Sequence, residues 1–460
     1  MTALQKTLSN LKSQARGTLQ VVGGTPLEGI VTVQGGKNAA LKIIAALPCF
    51  SGRFRLKNIP YIIDTLELLT CVEFLGASVV VEPGGDYVID TTSLQNKPLP
   101  YDMTKATTTS FCFAGALLGR FGELSLGKPG GDEIGARPVD VHLDLLRKAG
   151  STMHEDVYVV TGSFVPVDRE VDITMPMQSV GACMNLLHIL VASRTKGVVR
   201  NAPYDSDIEA LLEFFRLNGV AITYSNSTMI IKDYDNTHEE EIVFVCPPDR
   251  NESFTWLCAG ALSVGGVTVR GIDGKELAPG IEKLREIGVE ITQVNANEVF
   301  VCRPVAGLSL PANYRVIAGP SPMFHSDWAP LLQVVLCGAD GTSTIIDTLF
   351  DNRTRQAEIL GLMGASIQIK GGTPPQGVRV HFTSPQEKAR YITTIIGPHK
   401  LHNTQLAVGN DVRACAAIVL AATNAAGSAE LSSVYALFRG YESFLDKLRG
   451  LGAVVRLLPG

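Results

Sequence analysis

Two glycine-rich segments carry charged side chains: the first could bind an anion, and the second could be a mobile polar flap. In the first, Lys37 follows Gly35-Gly36 ahead of an apolar stretch typical of a buried helix. Free backbone N–H groups beside a cation make an anion site, although a purely structural turn is the alternative interpretation. In the second, residues 128–142, Asp132 and Arg137 lie among glycines. This segment could equally be a surface loop with solvated charges.

Three arginines and one aspartate complete the candidate chemistry. Arg353, Arg413 and Arg439 stand at corresponding points of an internal repeat. Their guanidinium groups could converge on one anion, because arginine is the usual bidentate partner of phosphate and carboxylate groups. Asp327 lies just ahead of an apolar helix. It is a charged candidate for a site, although a simple helix N-cap is the alternative interpretation.

The internal repeat predicts the elements that would position these residues. Six amphipathic helices, expected to lie outside or half exposed, each end at a glycine that precedes an alternating strand. The six glycines are Gly76, Gly150, Gly219, Gly288, Gly364 and Gly452. Each repeat also has a more apolar helix upstream, which we expect to be buried all round. These helices span 38–46, 109–118, 179–191, 253–262, 328–335 and 412–422. Six such units divide as three plus three near residues 233–248, which predicts an α/β protein with two similar domains.

Length and composition exclude several classes of protein. A chain of 460 residues is too long for a single hydrophobic core, and its net charge of −5 argues against a nucleic-acid partner. The nine cysteines lack metal-ligand spacing, so we interpret them as buried thiols in a reducing compartment. The N-terminus has no apolar signal segment, and the longest apolar run, 414–422, is too short to cross a membrane. We therefore expect a cytoplasmic protein without a membrane partner.

In this order and with these separations, the charged strings resemble the UDP-N-acetylglucosamine 1-carboxyvinyltransferase family of enolpyruvyl transferases. The similarity runs from about Leu19 to the C-terminus, and the shikimate branch of the superfamily matches these strings less well. The matching strings are Gly-Lys-Asn-Ala-Ala at 36–40, Gly-Ala-Arg-Pro-Val-Asp at 135–140, Asp-Asn-Arg at 351–353, Asp-x-Arg-Ala at 411–414 and Arg-Gly-Tyr-Glu at 439–442.

The resemblance implies the enolpyruvyl transferase fold, an inside-out α/β barrel. Two similar domains would each contain three βαβαββ-type repeats around buried helices. The first domain would comprise residues 38–247, and the second would comprise residues 1–37 and 248–460. The active site would lie in the cleft between them, where closure on substrate excludes water.

The resemblance also implies a reaction. The enolpyruvyl group of phosphoenolpyruvate would move to the 3-hydroxyl of UDP-N-acetylglucosamine and release phosphate, without a metal or organic cofactor. This is the first committed step of peptidoglycan precursor synthesis. Asp327 would be the base that takes the hydroxyl proton, and Asp132 would be the acid that protonates the methylene carbon. Lys37, Arg137 and Arg439 would be catalytic cations that grip phosphoenolpyruvate.

Further residues are implied in binding the two substrates. The phosphoenolpyruvate set is Lys37, Asn38, Arg137, Arg353, Asp411, Arg413 and Arg439. The UDP-sugar set is Asn38, Thr108, Arg137, Pro138, Val139, Asp140, Val141, Ser179, Val180, Gly181, Asp327 and Leu349. Within it, residues 179–181 would meet the diphosphate through a helix N-terminus.

Three positions and one segment depart from the family pattern. Asp132 stands where most members have cysteine, Thr108 where an arginine is usual, and Met177 where a lysine is usual. Extra sequence also lies around 385–408. Each missing cation on the nucleotide side costs about 1.5–3 kcal/mol of binding. One alternative is therefore an enolpyruvyl transferase for another nucleotide or sugar acceptor in specialised metabolism. Another is a non-catalytic regulatory paralogue that binds a nucleotide sugar, although a binding module has no need of an acid–base pair.

Asp132 generates a prediction about inhibition. Epoxide inhibitors of this family, such as fosfomycin, alkylate the loop thiol, and a carboxylate is a much poorer nucleophile than a thiolate. The unmodified protein should be insensitive. Asp132→Cys should keep some activity and gain time-dependent inactivation that phosphoenolpyruvate slows, measured as residual activity against time. Rapid inactivation of the unmodified protein, with the label on another residue, would show that Asp132 is not the acid.

Overall fold

The computed structural model describes residues 2–130, 139–166, 170–235, 241–382, 384–386 and 388–460. Within these ranges lie fifteen α-helices: α1 (Ala3–Gln14), α2 (Lys37–Ala46), α3 (Ile63–Phe74), α4 (Tyr101–Thr104), α5 (Phe113–Phe121), α6 (Asp140–Lys148), α7 (Val180–Ala192), α8 (Ser206–Leu217), α9 (Arg250–Ala261), α10 (Ala278–Glu286), α11 (Ala329–Cys337), α12 (Arg355–Leu362), α13 (Val412–Asn424), α14 (Tyr435–Gly440) and α15 (Phe444–Gly450). Three short 3₁₀ helices span Leu47–Cys49, Thr108–Cys112 and Ser326–Trp328.

The chain divides into two compact units. The first unit contains the described residues of 2–8, 35–130 and 139–247. The second unit contains residues 9–34 and the described residues of 248–460. Residues 9–34 near the N-terminus thus belong to the second unit, and within the described residues the chain crosses between the units at 8/9, 34/35 and 247/248.

Three sheets make up the strand layers described in the first unit. One contains, in spatial order, Ile242–Val245, Arg53–Lys57, Tyr87–Asp90 and Ser78–Val81. A second contains Val220–Ser225, Thr228–Tyr234, Gly197–Arg200 and Val171–Thr174. The third contains Glu123–Gly127, Val159–Ser163 and Thr152–Glu155. Each four-stranded sheet has one parallel pair and two antiparallel pairs, so the same topology occurs twice in this unit.

The second unit also contains three sheets among its described residues. One repeats the four-stranded topology with Glu290–Asn295, Glu298–Cys302, Gly266–Arg270 and Glu28–Thr32. Another contains Gln405–Ala407, Ser428–Ser432, Thr18–Val22 and Val454–Leu458. The largest contains Phe324–His325, Tyr314–Gly319, Ala339–Asp347, Ile392–Gly397 and Ser366–Lys370, with Leu308–Ser309 paired to its central strand. The described strands therefore form three repeated layers in each unit.

Apolar helices fill the interior of each unit, as the sequence predicts. In the first unit α5 packs closely against α7, and a Cβ added at Gly115 would lie 2.1 Å from the carbonyl oxygen of Asn185. Only glycine allows the two helices to approach to this distance. In the second unit α9, α11 and α13 are buried over nearly their whole length and share one continuous apolar core. The predicted α/β repeats around buried helices are confirmed.

The six predicted helix stops are also confirmed. Each of the six glycines has a positive φ, from 77° at Gly219 to 113° at Gly76. A left-handed residue at this point ends the helix and turns the chain into the next strand. The repeat can be recognised in the sequence because a backbone conformation that strongly favours glycine recurs at the same point of each of the six repeats.

Two predictions about individual helices are wrong. The helix α3 is buried rather than half exposed, because several of its polar side chains have partners inside the protein. Asp64 is paired with Lys37, and the hydroxyls of Thr65 and Thr70 donate to backbone carbonyl groups. The predicted helix over 109–118 is interrupted: a 3₁₀ turn precedes α5. The side chain of Ser110 competes there, because its hydroxyl donates to the carbonyl oxygens of Thr104 and Thr107, both at 2.7 Å.

No helix of the described residues is long and apolar enough to cross a membrane.

Candidate functional site

The guanidinium of Arg353 bridges two carboxylates in the second unit. Its Nε and Nη2 atoms donate to the two oxygens of Asp411 at 2.8 and 3.0 Å, and its Nη1 atom donates to Asp327 Oδ1 at 2.8 Å. The side chains of Arg353 and Asp411 are 2% and 3% exposed. This bidentate geometry, formed almost out of water, is the strong form of an ion pair.

Asp411 also sets the start of α13. Its carboxylate accepts hydrogen bonds from the backbone N–H groups of Arg413 and Ala414, at 2.8 and 3.2 Å, as a helix N-cap does. One carboxylate therefore orients Arg353 and the helix that carries Arg413. The guanidinium of Arg413 lies over the ring of Tyr441 at 5.0 Å, and its Nη1 atom is buried without a hydrogen-bond partner among the described residues. A buried donor left unpaired in this way is suited to an anionic ligand.

Asp327 lies in the 3₁₀ turn before α11, and its side chain is 29% exposed. Partial burial alone would raise the pKa of Asp327. Arg353 and Arg413, whose Nε atom is 4.0 Å from Asp327 Oδ2, outweigh this effect and hold that pKa well below its usual value. The carboxylate is therefore ionised at neutral pH, and it is the one member of the cluster that solvent or a ligand can reach substantially.

A third carboxylate, Asp347, shapes the chain on both sides of this cluster. It accepts hydrogen bonds from the Ser326 hydroxyl at 2.8 Å and from the backbone N–H groups of Leu349 and Phe350 at 2.9 and 3.2 Å. Burial raises the pKa of Asp347 above its usual value. Through these bonds Asp347 fixes the turn that holds Asp327 and the loop that leads to Arg353.

The extra segment found in the sequence packs against the same loop. The backbone N–H of Arg390 donates to the Asp351 carbonyl oxygen at 2.7 Å, and its Nη1 atom donates to Glu358 at 2.7 Å. Just upstream, the N–H of His381 donates to the Thr348 carbonyl oxygen at 2.7 Å. The described part of this segment thus supports the loop that carries Leu349.

Arg439 lies near the end of α14 and is 4% exposed. Its Nη1 atom is 3.5 Å from both oxygens of Asn410. The side chain of Gln34 fixes the backbone that follows: its Nε2 donates to the Gly440 carbonyl oxygen at 3.1 Å, and its Oε1 accepts from the Glu442 N–H at 2.6 Å. The position of Arg439 therefore depends on a residue more than 400 positions away in sequence.

Glu252 anchors Gln34 in turn. One carboxylate oxygen accepts from the Gln34 backbone N–H at 2.6 Å. The other accepts from Lys447 Nζ at 2.6 Å and from Trp256 Nε1 at 3.0 Å. Glu252 is fully buried, and burial raises its pKa despite these donors.

In the first unit, Lys37 begins α2 and its Nζ atom lies 2.8 Å from the Asp64 carboxylate. Both side chains are buried, at 8% and 1% exposure. Lys42, one turn beyond Asn38, donates to the Asn38 carbonyl oxygen at 3.4 Å and pairs with Asp207 at 3.5 Å. The start of α2 therefore carries two buried cations held by carboxylates.

The starts of α6 and α7 meet in the same unit. Ser179 caps α7 by accepting from the Ala182 N–H at 3.4 Å. A Cβ added at Gly181 would lie 3.0 Å from the ring of His142, so this ring covers the first turn of α7. His142 follows Val139, Asp140 and Val141 at the start of α6. The structure thus brings the predicted 139–141 and 179–181 segments together, while Thr108 begins a 3₁₀ turn and Met177 precedes the cap.

Comparison with known proteins places the chain in a family. The sequence model of the family described as EPSP synthase (3-phosphoshikimate 1-carboxyvinyltransferase) matches residues 21–448. The chain belongs to the enolpyruvyl transferase family. It is 31% identical to the UDP-N-acetylglucosamine 1-carboxyvinyltransferase of Chloroherpeton thalassium over 95% of this chain and 96% of that protein. It is likewise 31% identical to UDP-N-acetylglucosamine 1-carboxyvinyltransferase 2 of Caldanaerobacter subterraneus, over 96% and 100% of the two chains.

Solved structures show the same fold. The enolpyruvyl transferase NikO from Streptomyces tendae is similar with a TM-score of 0.81 at 22% identity, covering 97% of this chain and 99% of that chain. EPSP synthase from Acinetobacter baumannii has a TM-score of 0.72 at 15% identity, covering 96% and 100%. The predicted enolpyruvyl transferase fold is confirmed.

The residues predicted for this enolpyruvyl transferase fall into three groups. Those in the second unit that the structure brings together are Asp327, Arg353, Asp411 and Arg413, with Arg439 and Leu349 held by neighbouring contacts. Those in the first unit are Lys37, Asn38, Thr108, Val139, Asp140, Val141, Ser179, Val180 and Gly181. Asp132, Arg137 and Pro138 lie outside the described residues.

Sequence reasoning missed the polar residues that hold these groups, namely Asp64, Asn251, Asp347 and the Glu252–Lys447 pair. Only Asp249, an N-cap that follows two prolines, leaves a local signal near Asn251 and Glu252. In the described part of the chain, no group of three or more His, Cys, Asp or Glu side chains could hold a metal ion. The nine cysteines form no disulfide, and all except the half-buried Cys302 are buried.

The buried Glu252–Lys447 pair of this enolpyruvyl transferase yields a prediction about stability. Lys447→Met leaves an unpaired buried carboxylate, so the free energy of unfolding should fall by about 3–5 kcal/mol, measured by urea denaturation. The loss should shrink as pH falls. The folded variant binds a proton on Glu252 at a higher pH than the unfolded chain does, so its stability rises on acidification.

Two further variants test the cause of this loss. Glu252→Gln added to Lys447→Met should recover part of the stability, because it removes the unpaired charge. Lys148→Met breaks an exposed pair with Asp144 on α6 and should cost less than about 1 kcal/mol. Equal losses for Lys447→Met and Lys148→Met would contradict the assignment of Glu252 as a buried anion that needs its cation.

Proposed function

We propose that this protein transfers the enolpyruvyl group of phosphoenolpyruvate to the 3-hydroxyl of UDP-N-acetylglucosamine and releases phosphate. The observation that carries the proposal is the Asp327 cluster: a partly exposed carboxylate held ionised by two buried arginines. Two relatives that are 31% identical to this chain over nearly their whole length are named for this activity. The product would be a precursor of peptidoglycan. The predicted domain boundaries at 37/38 and 247/248, and an active site between the domains, remain predictions.

The chemistry assigns each charged group a task. The sugar hydroxyl attacks C2 of phosphoenolpyruvate, and Asp327 takes the hydroxyl proton. Asp132 gives a proton to the methylene carbon. Because the product keeps its double bond, that carbon must return a proton to the Asp132 carboxylate as the C2–O bond to phosphate breaks, and the departing phosphate takes up the proton held by Asp327. The ion pair with Arg353 lowers the proton affinity of Asp327. To lose its proton to so weak a base, the acceptor hydroxyl must donate a direct hydrogen bond to the Asp327 carboxylate.

The cations stabilise the negative charge of phosphoenolpyruvate and of the departing phosphate. Arg413 offers a buried Nη1 donor without a partner in the described part of the chain, and Lys37 and Arg439 supply further positive charge at helix termini. Donors aimed at developing negative charge give the largest single contribution in many enzymes. Arg353 is already shared by two carboxylates, so we assign it the task of holding Asp327 rather than phosphate.

The altered nucleotide side supports a second candidate function, transfer to a different nucleotide or sugar acceptor. Thr108 and Met177 provide no charge at the two positions where the family pattern has cations. His142 covers the first turn of α7, and burial lowers the pKa of His142 to about 4. This ring is therefore neutral at pH 7 and does not replace the missing charge. A non-catalytic regulator, the third alternative, leaves the Asp327 cluster unexplained.

Asp327→Asn tests the assigned base. The amide keeps the shape but cannot take a proton, so kcat should fall by about 10²–10⁴-fold. Phosphoenolpyruvate binding, measured by calorimetry, should be largely retained. The matched control is Asp340→Asn, an exposed aspartate of the same unit, which should leave both quantities unchanged. Near-normal turnover of Asp327→Asn would reassign Asp327 to a structural ion pair.

Phosphate release from phosphoenolpyruvate with a panel of acceptors tests the function itself. The panel contains UDP-N-acetylglucosamine, other UDP-sugars, UMP and shikimate 3-phosphate. Release with UDP-N-acetylglucosamine supports the proposal, and release only with another acceptor supports the second candidate. No release with any acceptor would leave the regulatory paralogue as the remaining interpretation.

Restoring the missing cations sharpens this test. Thr108→Arg with Met177→Lys should lower KM for UDP-N-acetylglucosamine by about tenfold or more, because each charged hydrogen bond contributes roughly 1.5–3 kcal/mol. The control, Thr92→Arg with Gln95→Lys, adds the same charge at exposed positions of the same unit and should have little effect. If Thr108→Arg with Met177→Lys instead abolishes activity with the acceptor that the unmodified protein uses, the pocket is specific for a different ligand.

A further inference from the structure

We propose that Asn251 is a positioning residue that fixes the carboxylate of Asp327 for proton abstraction. The inference rests on the proposed function, because it assigns a task within that reaction. It does not follow from the charged motifs, since Asn251 lies far from all of them in sequence and carries no charge.

The geometry places the Asn251 amide against the base. Its Nδ2 atom donates to Asp327 Oδ2 at 3.1 Å, while Arg353 Nη1 donates to Oδ1 of the same carboxylate at 2.8 Å. Each oxygen of Asp327 therefore has its own donor, and the two donors come from different elements, α9 and the loop before α12. Two hydrogen bonds at the two oxygens prevent rotation of the carboxylate about its Cβ–Cγ bond.

Asn251 is itself held rigidly. Its backbone N–H donates to the Asp249 carboxylate at 2.7 Å, and its carbonyl oxygen accepts from the Thr255 hydroxyl at 2.8 Å. The N–H of Asp249 in turn donates to the Gln34 carbonyl oxygen at 2.9 Å. The side chain is only 2% exposed. The amide that orients Asp327 is therefore part of a capped helix start with little freedom to move.

The other end of the amide argues for a functional role. Asn251 Oδ1 is buried and has no hydrogen-bond partner among the described residues. A buried acceptor left unpaired costs stability. A leucine, which has the same branched shape but a larger volume, would remove that cost, and Asp327 would keep both Arg353 and access to solvent. Stability alone therefore does not favour asparagine at this position, whereas orientation of the base does.

Asn403 provides a matched control in the same unit. Its Oδ1 atom is also buried without a partner in the described residues, and its Nδ2 donates to the carbonyl oxygens of Ala422 and Gly427 at 2.9 and 3.0 Å. This amide has a structural task only. Asn403→Leu removes the amide donor from the Ala422 carbonyl group, whereas the Gly427 carbonyl group keeps the Gly23 backbone N–H at 2.9 Å. The variant should therefore lower Tm and leave kcat per folded molecule unchanged.

The test compares Asn251→Leu with Asn403→Leu in the full chain. For Asn251→Leu we expect kcat to fall by about tenfold to a hundredfold, because a misplaced reacting group has effects of this size. KM for phosphoenolpyruvate should change less than about twofold, since uniform binding is not removed. Tm should stay the same or rise. Asn251→Ser, which keeps a short donor, should recover part of kcat.

A double-mutant cycle separates positioning from a general defect. If Asn251 acts through Asp327, Asn251→Leu should slow the Asp327→Asn protein no further. Additive losses, an unimpaired Asn251→Leu variant, or a kcat loss that follows a fall in Tm would each overturn the inference. If the unmodified protein is active, these outcomes leave the proposed function standing. If it releases no phosphate with any acceptor of the panel, the proposed function and this inference fail together.

Discussion

Arg353 is a cation with almost no access to water, and removing a guanidinium from water costs several kcal/mol unless carboxylates replace the lost hydration. Asp411 supplies that replacement through two parallel hydrogen bonds, and Asp327 supplies a third. This arrangement links the segment before α12, the start of α13 and the turn before α11. It also leaves Asp327 ionised, and a base must be ionised before it can take a proton.

Several polar contacts around this cluster fix its turns and its backbone. Asp347 accepts hydrogen bonds from both the turn that holds Asp327 and the loop that holds Leu349. The Gln34 side chain bonds to the backbone of Gly440 and Glu442, just after Arg439. Such groups are expensive to bury, and an unpaired one, like Asn251 Oδ1, lowers stability. Their common effect is to hold charged side chains with little freedom, so that little reorganisation is needed when charge develops during a reaction.

The first unit shows a different balance. Lys37 is held by the buried carboxylate of Asp64, as Arg353 is held by Asp411 in the second unit. The family resemblance predicts two cations on the nucleotide side, where this chain has the uncharged Thr108 and Met177, and the neutral His142 lies against α7. The presence of one set of expected charges and the absence of the other is the physical reason for testing the acceptor separately from phosphoenolpyruvate.

The sequence alone determined the repeat, the buried helices and most of the charged candidates. A left-handed glycine and an apolar helix are local properties, and so the stops at Gly76 and Gly452 could be predicted. Arg353 and Asp327 could be named from the motifs around them, but not their shared ion pair. Only the tertiary structure decided that Asn251 contacts Asp327 and that Gln34 fixes the chain after Arg439. Neutral amides have no periodicity and no charge pattern, and their partners are 76 and 406 positions away, so only the packing of the folded chain selects them.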